Sequence, residues 1–296
     1  MDLFDPRLTA ATTAGQWLRE ARDQLEKAGV ETAALDARLL LIDGLGIPHS
    51  VFISDPNLSL QPGEMLQLES MLHRRLQREP VSRILGWREF YGRRFAIDQH
   101  VLDPRSDTET LIAAALAAGV EEQELRFLDI GTGSGCIAVT LLAERREWTG
   151  SATDINAAAL RVVGKNAETH RVAGRLELHN TSWARGVAGP FDLIVSNPPY
   201  IPSGELAGLM PEVANFDPQI ALDGDQDGLA AYRSILASAP GLLAPGGCLI
   251  VEVGARQADS VYALATESPL ERFRPPEVSL HDLAGNERIA VFRMAG

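Results

Sequence analysis

Hydrophobic positions fall into two rhythms along this chain. Up to about residue 80 they recur every three or four places. Trp17, Ala21, Leu25 and Ala28 form one stripe, with Gly29 as its stop. Ala34 to Ile42 is a second apolar segment ending at Gly44. Met65, Leu68, Leu72 and Leu76 mark a third, with Pro80 beyond it. That spacing predicts a small helical domain over residues 1–82, with no catalytic cluster of its own. The next stretch, ILGWREFYGRRFAIDQHVL, is rich in aromatic and branched residues, with Gly92 near its middle. It predicts a β-hairpin linker over residues 83–105.

From about Thr108 the rhythm changes. Leu111 to Ala118 reads as a helix. The short apolar segments RFLDIG, WTGSATDI, RLELHN, FDLIVSN, GGCLIVEVG and ERIAVFRM follow. Helical stretches (CIAVTLLAERRE, NAAALRVVGKNAETH and GLAAYRSILASAPGLL) separate several of them. Such alternation predicts an α/β domain over residues 106–296, with parallel strands and helices on both faces. Ligands of these sheets bind outside the carboxyl ends of the strands, so the residues just after each strand matter most.

The first strand runs into FLDIGTGSGCIAV, where Gly131, Gly133 and Gly135 alternate beside Asp129. Glycines let a backbone turn sharply and approach a ligand closely. The dinucleotide fingerprint fits imperfectly, because Cys136 stands at its sixth position, and the phosphate-binding P-loop is excluded by the lack of a lysine. The pattern D-x-G-x-G-x-G resembles the first motif of the seven-stranded methyltransferases that use S-adenosylmethionine. Asp154 ends the second strand 19 residues after Gly135, where a carboxylate can accept bonds from ribose hydroxyls; it could also cap the helix that follows. Trp183, in NTSW after the third strand, fits either the core or a cover over an adenine.

The fourth strand ends in Asn197-Pro198-Pro199-Tyr200. Two prolines donate no N–H, fix φ and turn the chain out of the sheet. They leave a stiff pair of acceptors: the Asn197 side-chain oxygen and the Pro198 carbonyl. A planar NH2 group could bridge the pair, with Tyr200 packed on its plane. Such a nitrogen is a poor nucleophile because its lone pair is delocalised. Two acceptors orient it, and positioning in line with a good leaving group matters more than a strong base. Asn197, Pro198 and Tyr200 are therefore the candidate catalytic residues. A turn ending a buried strand accounts for the prolines, but not for the asparagine before them or the tyrosine after them.

Composition narrows the class. The 296 residues allow two domains, and 45% hydrophobic with 23% charged residues is a globular balance. No apolar run is long enough for a membrane span, and MDLFDPRLTA lacks a basic stretch followed by an apolar core. A soluble, cytoplasmic protein is expected. Cys136 and Cys248 are far apart and form no CxxC pair, so neither a disulfide framework nor a zinc site is expected. The net charge of −13 divides into about −2 for residues 1–105 and about −11 for residues 106–296, which argues against a generic nucleic-acid binder. One local exception is Arg74, Arg75, Arg78, Arg83, Arg88, Arg93 and Arg94, either a solvated face or a docking patch for an acidic or RNA-bound partner. Asp223, Asp225, Asp227 and Gly228 open like a calcium loop, but its closing glutamate is replaced by Ser234, so no metal is expected.

Together these blocks resemble a specific family. Asn-Pro-Pro-Tyr after the fourth strand is similar to the motif of methyltransferases acting on planar amino groups. EFYGRRFAIDQHVLDPRSDTETLI, SNPPYIPSGEL, FDPQIALDGDQDGLAAYRSI and NERIAVFR resemble blocks of the peptide chain release factor glutamine methyltransferases, the HemK/PrmC family. The resemblance spans nearly the whole chain. It implies a seven-stranded Rossmann-like class I methyltransferase domain preceded by a small helical substrate-recognition domain. It also implies a monomer that methylates the glutamine side-chain amide in the Gly-Gly-Gln loop of release factors, with no direct nucleic-acid substrate. The cofactor contacts carry over to Gly131, Thr132, Gly133, Ser134, Gly135, Asp154, Trp183 and Asn197. The substrate contacts carry over to Asn197, Pro198, Pro199 and Tyr200. Asp103 and Ser106 depart from the family's usual apolar residue and proline, whereas Arg105 and Glu109 are retained. Rival readings are a methyltransferase of another protein, such as a ribosomal protein glutamine, an adenine-N6 DNA enzyme, which would need a basic cleft, and a non-catalytic cofactor-binding module, which should have lost Asn197 or a glycine.

Overall fold

The computed structural model describes residues 13–55, 57–119, 124–266, 273, 279–281 and 287–294; the segment MDLFDPRLTA lies outside them. The chain divides after Gly86 into two compact units. The first holds α1 (Ala14–Lys27), α2 (Ala33–Leu45), α3 (His49–Ser54), α4 (Pro62–Leu76) and α5 (Val81–Leu85). A capping box starts α1: Thr13 Oγ1 accepts from the Gln16 N–H, and Gln16 Oε1 accepts from the Thr13 N–H. The stripe Trp17, Ala21 and Leu25 is buried with Leu40 and Leu41 of α2 and Leu68 and Leu72 of α4.

Three local details depart from the reading by periodicity. Helix α2 continues through Gly44, which lies against Met71, and stops at the left-handed Gly46. Ile84 and Leu85 belong to α5, so the hairpin begins only at Trp87. Helix α3 buries no side chain and has no apolar stripe to read. The arginine cluster is largely engaged within the fold. Arg75 is only 5% exposed and pairs with Asp36 at 2.7 Å. Arg74 pairs with Glu79 at 2.6 Å.

In the second unit, β1 (Trp87–Phe90) and β2 (Arg93–Ala96) pair antiparallel. Their two-residue turn has Tyr91 and Gly92 both at positive φ, the geometry that matches strand twist. Arg93 pairs with Glu144 at 2.5 Å, and the Arg94 guanidinium lies 3.9 Å from the centre of the Trp87 ring. Next come α6 (Thr108–Ala118), β3 (Leu125–Ile130), α7 (Cys136–Glu144), β4 (Trp148–Asp154), α8 (Ala157–Thr169), β5 (Leu176–Asn180) and β6 (Phe191–Ser196). The chain continues through α9 (Pro211–Ala214), α10 (Ala230–Leu242), β7 (Leu243–Glu252), α11 (Ala258–Ala265), β8 (Ser279–His281) and β9 (Glu287–Arg293).

Seven strands form one sheet in the order β5-β4-β3-β6-β7-β9-β8. The first five are parallel, and β9 runs antiparallel to both its neighbours. Strand β8 has three described residues, too few to show a pattern in the sequence. Alternate side chains along each strand divide the core. Phe127, Leu193, Val195 and Ile250 pack with Leu111 of α6 and Ile137 and Leu141 of α7. Leu128, Ile130, Ile194 and Leu249 pack with Ile235 and Leu236 of α10 and Val261 of α11. The strand order reverses between β3 and β6, which opens a crevice at their carboxyl ends.

Replacing Asp36 with alanine leaves the Arg75 guanidinium buried without its carboxylate, and should destabilise the helical unit by about 3–5 kcal/mol. Urea unfolding followed by Trp17 fluorescence checks this, and the paired change D36L with R75M should recover most of the loss.

Candidate active site

The glycine loop leaves β3 at the crevice and is held by two carboxylates. Asp129, fully buried, accepts from the Thr132 hydroxyl at 2.6 Å. Asp154 Oδ2 accepts from the Gly133 N–H at 3.0 Å, and its Oδ1 from the Asn156 N–H at 2.8 Å. Gly131 and Thr132 both donate to the Thr153 carbonyl, at 3.0 and 2.9 Å. Asn166 ties the loop to the hairpin: its amide donates to Ser134 O and Ala96 O and accepts from the Ala96 N–H. Burial pushes the Asp129 carboxyl up to about 7, against the Thr132 bond that lowers it. Burial also raises Asp154, opposed by its two backbone bonds.

A cavity of about 280 Å³ opens beside this loop, and Gly131, Thr132, Gly133, Ser134, Asp154, Trp183, Asn197 and Pro199 are among its lining residues. Gly131 and Gly133 have positive φ, and a Cβ on either would project into open space. Gly135 differs. It does not line the cavity, and a Cβ there would meet Val163 of α8 at 2.8 Å, so this glycine serves the packing of α7 on α8. The cap of α8 is Asn156, whose side chain accepts from the Ala158 N–H, and not Asp154. The Asp154 carboxylate accepts one bond per oxygen from the backbone and has further acceptor capacity at the cavity wall.

A second cavity of about 420 Å³ is lined by Asn197, Pro198 and Tyr200 together with Arg88, Arg105, Ser106 and Arg288. The motif therefore separates two spaces. Pro199 faces the first, Pro198 and Tyr200 face the second, and Asn197 borders both. Pro199, which the resemblance groups with the substrate contacts, lines the first cavity. Burial pushes the Tyr200 hydroxyl up to about 12 and the Cys136 thiol up to about 12, so neither is a base or nucleophile at neutral pH. Three arginines around the second cavity are matched by carboxylates. Arg105 meets Asp217 at 2.5 Å, Arg288 meets Asp107 at 3.0 Å, and Arg88 lies 3.9 Å from the buried Asp103.

Residues 16–86 match the PrmC N-terminal domain, and residues 106–209 the methyltransferase small domain. The chain is 47% identical to the release factor glutamine methyltransferase of Rhodospirillum rubrum, over 96% of this chain and 86% of that protein. It is 44% identical to the protein of the same name from Cereibacter sphaeroides, over 95% of this chain and 98% of that one. The chain belongs to the release factor glutamine methyltransferase family. A crystal structure of a methyltransferase from Pyrococcus furiosus shares the fold, with a TM-score of 0.51 at 15% identity over 70% of this chain and 91% of that one.

For a member of the release factor glutamine methyltransferases, several residues that shape the site went unread in the sequence. Asn197 Nδ2 donates to Thr108 Oγ1 at 3.0 Å, and that hydroxyl donates to Glu252 Oε2 at 2.6 Å. Gln257 donates to the Tyr200 carbonyl at 3.0 Å. Glu252 did carry a signal, a charge inside the apolar run LIVEVG. The stretch that opens like a calcium loop braces the motif. Ile201 N–H donates to Leu222 O at 3.0 Å, Gly224 N–H to Ile201 O at 2.8 Å, and the Ser203 hydroxyl to Asp223 at 2.7 Å.

Gly228 has a φ of +73°, and a Cβ on it would lie 2.4 Å from the Tyr200 carbonyl oxygen. Gly228→Ala should therefore move Tyr200 and lower the methyl-transfer kcat by about tenfold or more, leaving cofactor affinity near wild type. Gly174→Ala, where the added methyl meets nothing within 4 Å, is the matched control. Steady-state kinetics and calorimetry of both variants check this.

Proposed function

We propose that this chain transfers a methyl group from S-adenosylmethionine to the side-chain amide nitrogen of the glutamine in the Gly-Gly-Gln loop of peptide chain release factors. Membership of the family supports the reaction. The observation that carries the reading is the place of Asn197 at the border of two cavities, with its Nδ2 committed to Thr108. The first cavity suits the cofactor. Two glycines leave bare backbone along it, Asp154 retains acceptor capacity for ribose hydroxyls, and Trp183 lines the same wall for an adenine. Thr132 and Ser134 complete the contacts assigned to the cofactor, and Gly135 acts through the packing of the loop.

When bound there, the cofactor would supply an electrophilic methyl group, with its sulfur as the leaving group. The residues of the chain do the rest. Asn197 Oδ1 and the Pro198 carbonyl accept the two N–H bonds of the incoming amide and hold its nitrogen toward the first cavity. That orientation favours the electron-rich arrangement needed for attack, and it is preorganised by two prolines and the bracing loop. Tyr200 packs as a neutral ring against the amide plane. Once the nitrogen bears the new methyl group, the surplus N–H proton leaves to water.

The matched charges around the second cavity favour a neutral amide over a polyanion, in keeping with a protein rather than a nucleic-acid substrate. No helix among the described residues is long and apolar enough to cross a membrane. The reading includes a monomer working in the cytoplasm.

Purified release factor and labelled S-adenosylmethionine provide the test. Wild-type substrate should take up label, and a Gln→Ala substrate should not; label retained on that variant overturns the glutamine assignment. Asn197→Ala should cost about 2–4 kcal/mol of transition-state stabilisation, seen in kcat and not in cofactor affinity. Activity within about threefold of wild type would defeat the acceptor-pair mechanism.

A further inference from the structure

The chain Glu252–Thr108–Asn197 has a direction. Glu252 closes β7 and is 1% exposed, with its Oε2 2.6 Å from the Thr108 hydroxyl, which lies 3.0 Å from Asn197 Nδ2. An ionised carboxylate only accepts, so the single proton of Thr108 must point at Glu252. The Thr108 oxygen then has only lone pairs to offer, and Asn197 must meet it with its NH2. An amide has nearly the same shape either way round, so hydrogen-bond partners alone decide which end faces where. Turned over, Asn197 would set its oxygen against an oxygen whose proton is already spent. Such a clash of lone pairs on the buried threonine oxygen goes unrelieved and is costly. Asn197 Oδ1 is therefore kept facing the cavities, where the acceptor pair requires it.

We propose that Glu252, through the Thr108 hydroxyl and through its own bond from the Asn197 amide, is a positioning residue that fixes which end of that amide faces the substrate. The inference rests on the reading of Asn197 as an acceptor for the substrate amide. A protonated Glu252 carries an O–H that can donate to Thr108, which frees the threonine proton to turn toward Asn197. The flipped amide is then satisfied, and it presents NH2 to an incoming NH2, a donor facing a donor. Methyl transfer is thus coupled to the charge on a carboxyl that touches neither substrate nor cofactor.

The surroundings make that charge titratable. Burial pushes the Glu252 carboxyl up to about 7, while bonds from Thr108 and Asn197 and the charge of Arg288 lower it and Asp107 raises it. The other groups coupled to it are Tyr200, Tyr232 and Cys136. Burial raises Tyr200 and Cys136 to about 12 and Tyr232 well above its usual value, so none of these three titrates near neutrality. The Tyr232 hydroxyl donates to the Glu252 main-chain carbonyl at 3.0 Å, which leaves the carboxyl to Thr108 and its neighbours. Asp129 also titrates at about 7, on the glycine-loop side, and it is the group that must be told apart from Glu252.

The test is the pH profile of kcat with saturating release factor and S-adenosylmethionine, for wild type, Glu252→Gln, Thr108→Val and Thr108→Ser. Wild type should lose activity as pH falls through about 7, with a one-proton slope. Glutamine can donate or accept, so E252Q should lower kcat by about tenfold or more above neutrality and abolish the acid limb, with cofactor affinity by calorimetry within about threefold. T108V removes the hydroxyl but leaves the bond from Asn197 to Glu252, so it should lose part of what E252Q loses, and T108S should recover most of that part. An E252Q enzyme within about threefold of wild-type kcat, or one that keeps the acid limb, overturns the proposal, the second result pointing to Asp129. Should E252Q fail to bind cofactor, the threonine pair decides: a T108V within about threefold of wild-type kcat refutes the part given to Thr108, and a slow T108V rescued by serine supports it. A wild-type protein that puts no methyl on release factor would instead refute the functional reading.

Discussion

Parallel pairing of β3 with β6 is the constraint on which the catalytic unit depends. Phe127, Leu128 and Asp129 stand opposite Leu193, Ile194 and Val195. Because the two strands run the same way, their carboxyl ends finish side by side, and the Ser196 hydroxyl locks them by donating to the Ile130 carbonyl at 2.7 Å. The glycine loop and Asn197 are thereby delivered to one crevice from segments about 65 residues apart in the chain. The same edge receives Asp154 from β4, so three different chemistries meet without any of them being adjacent in sequence.

Two buried carboxylates then set the geometry on either side of the crevice. Asp129 holds Thr132 in the glycine loop, and Glu252 holds Thr108 beneath Asn197. Both are raised to about 7 by burial, and both meet a threonine hydroxyl. Such a group is costly to bury unless it is hydrogen-bonded, and each of these has its threonine hydroxyl. Neither needs to act as an acid or base on the substrate. Each makes a soft feature, a loop or a side-chain amide, adopt one of its possible arrangements.

The motif itself is stiffened from outside the strand. Gln257 takes the Tyr200 carbonyl, and the backbone from Leu222 to Asp225 takes Ile201 and Ser203. The close approach of Gly224 and Gly228 to Tyr200 leaves no room for side chains there. The aspartate run contributes to this bracing: Asp223 accepts from Ser203 and from the Asp225 N–H, and Asp227 pairs with Arg233.

Much of the site was legible in the sequence, because it is written in local patterns. The alternating glycines, the acidic residue ending the second strand, and the amide with two prolines ending the fourth are each contained in a few consecutive positions. In a parallel α/β sheet such strand-end residues share an edge whatever the details of packing. Helical periodicity likewise exposed α1, α2 and α4, and it missed α3, which has no buried stripe to reveal it. What only the tertiary structure decided is who holds these groups in place. Thr108 lies 89 residues from Asn197 and 144 from Glu252 in the chain. A hydrogen bond between such distant segments leaves no periodic trace. The sequence by itself determined which chemical groups reach the crevice, and the fold alone determined which way they point, since orientation is set by partners that meet only once the sheet has closed.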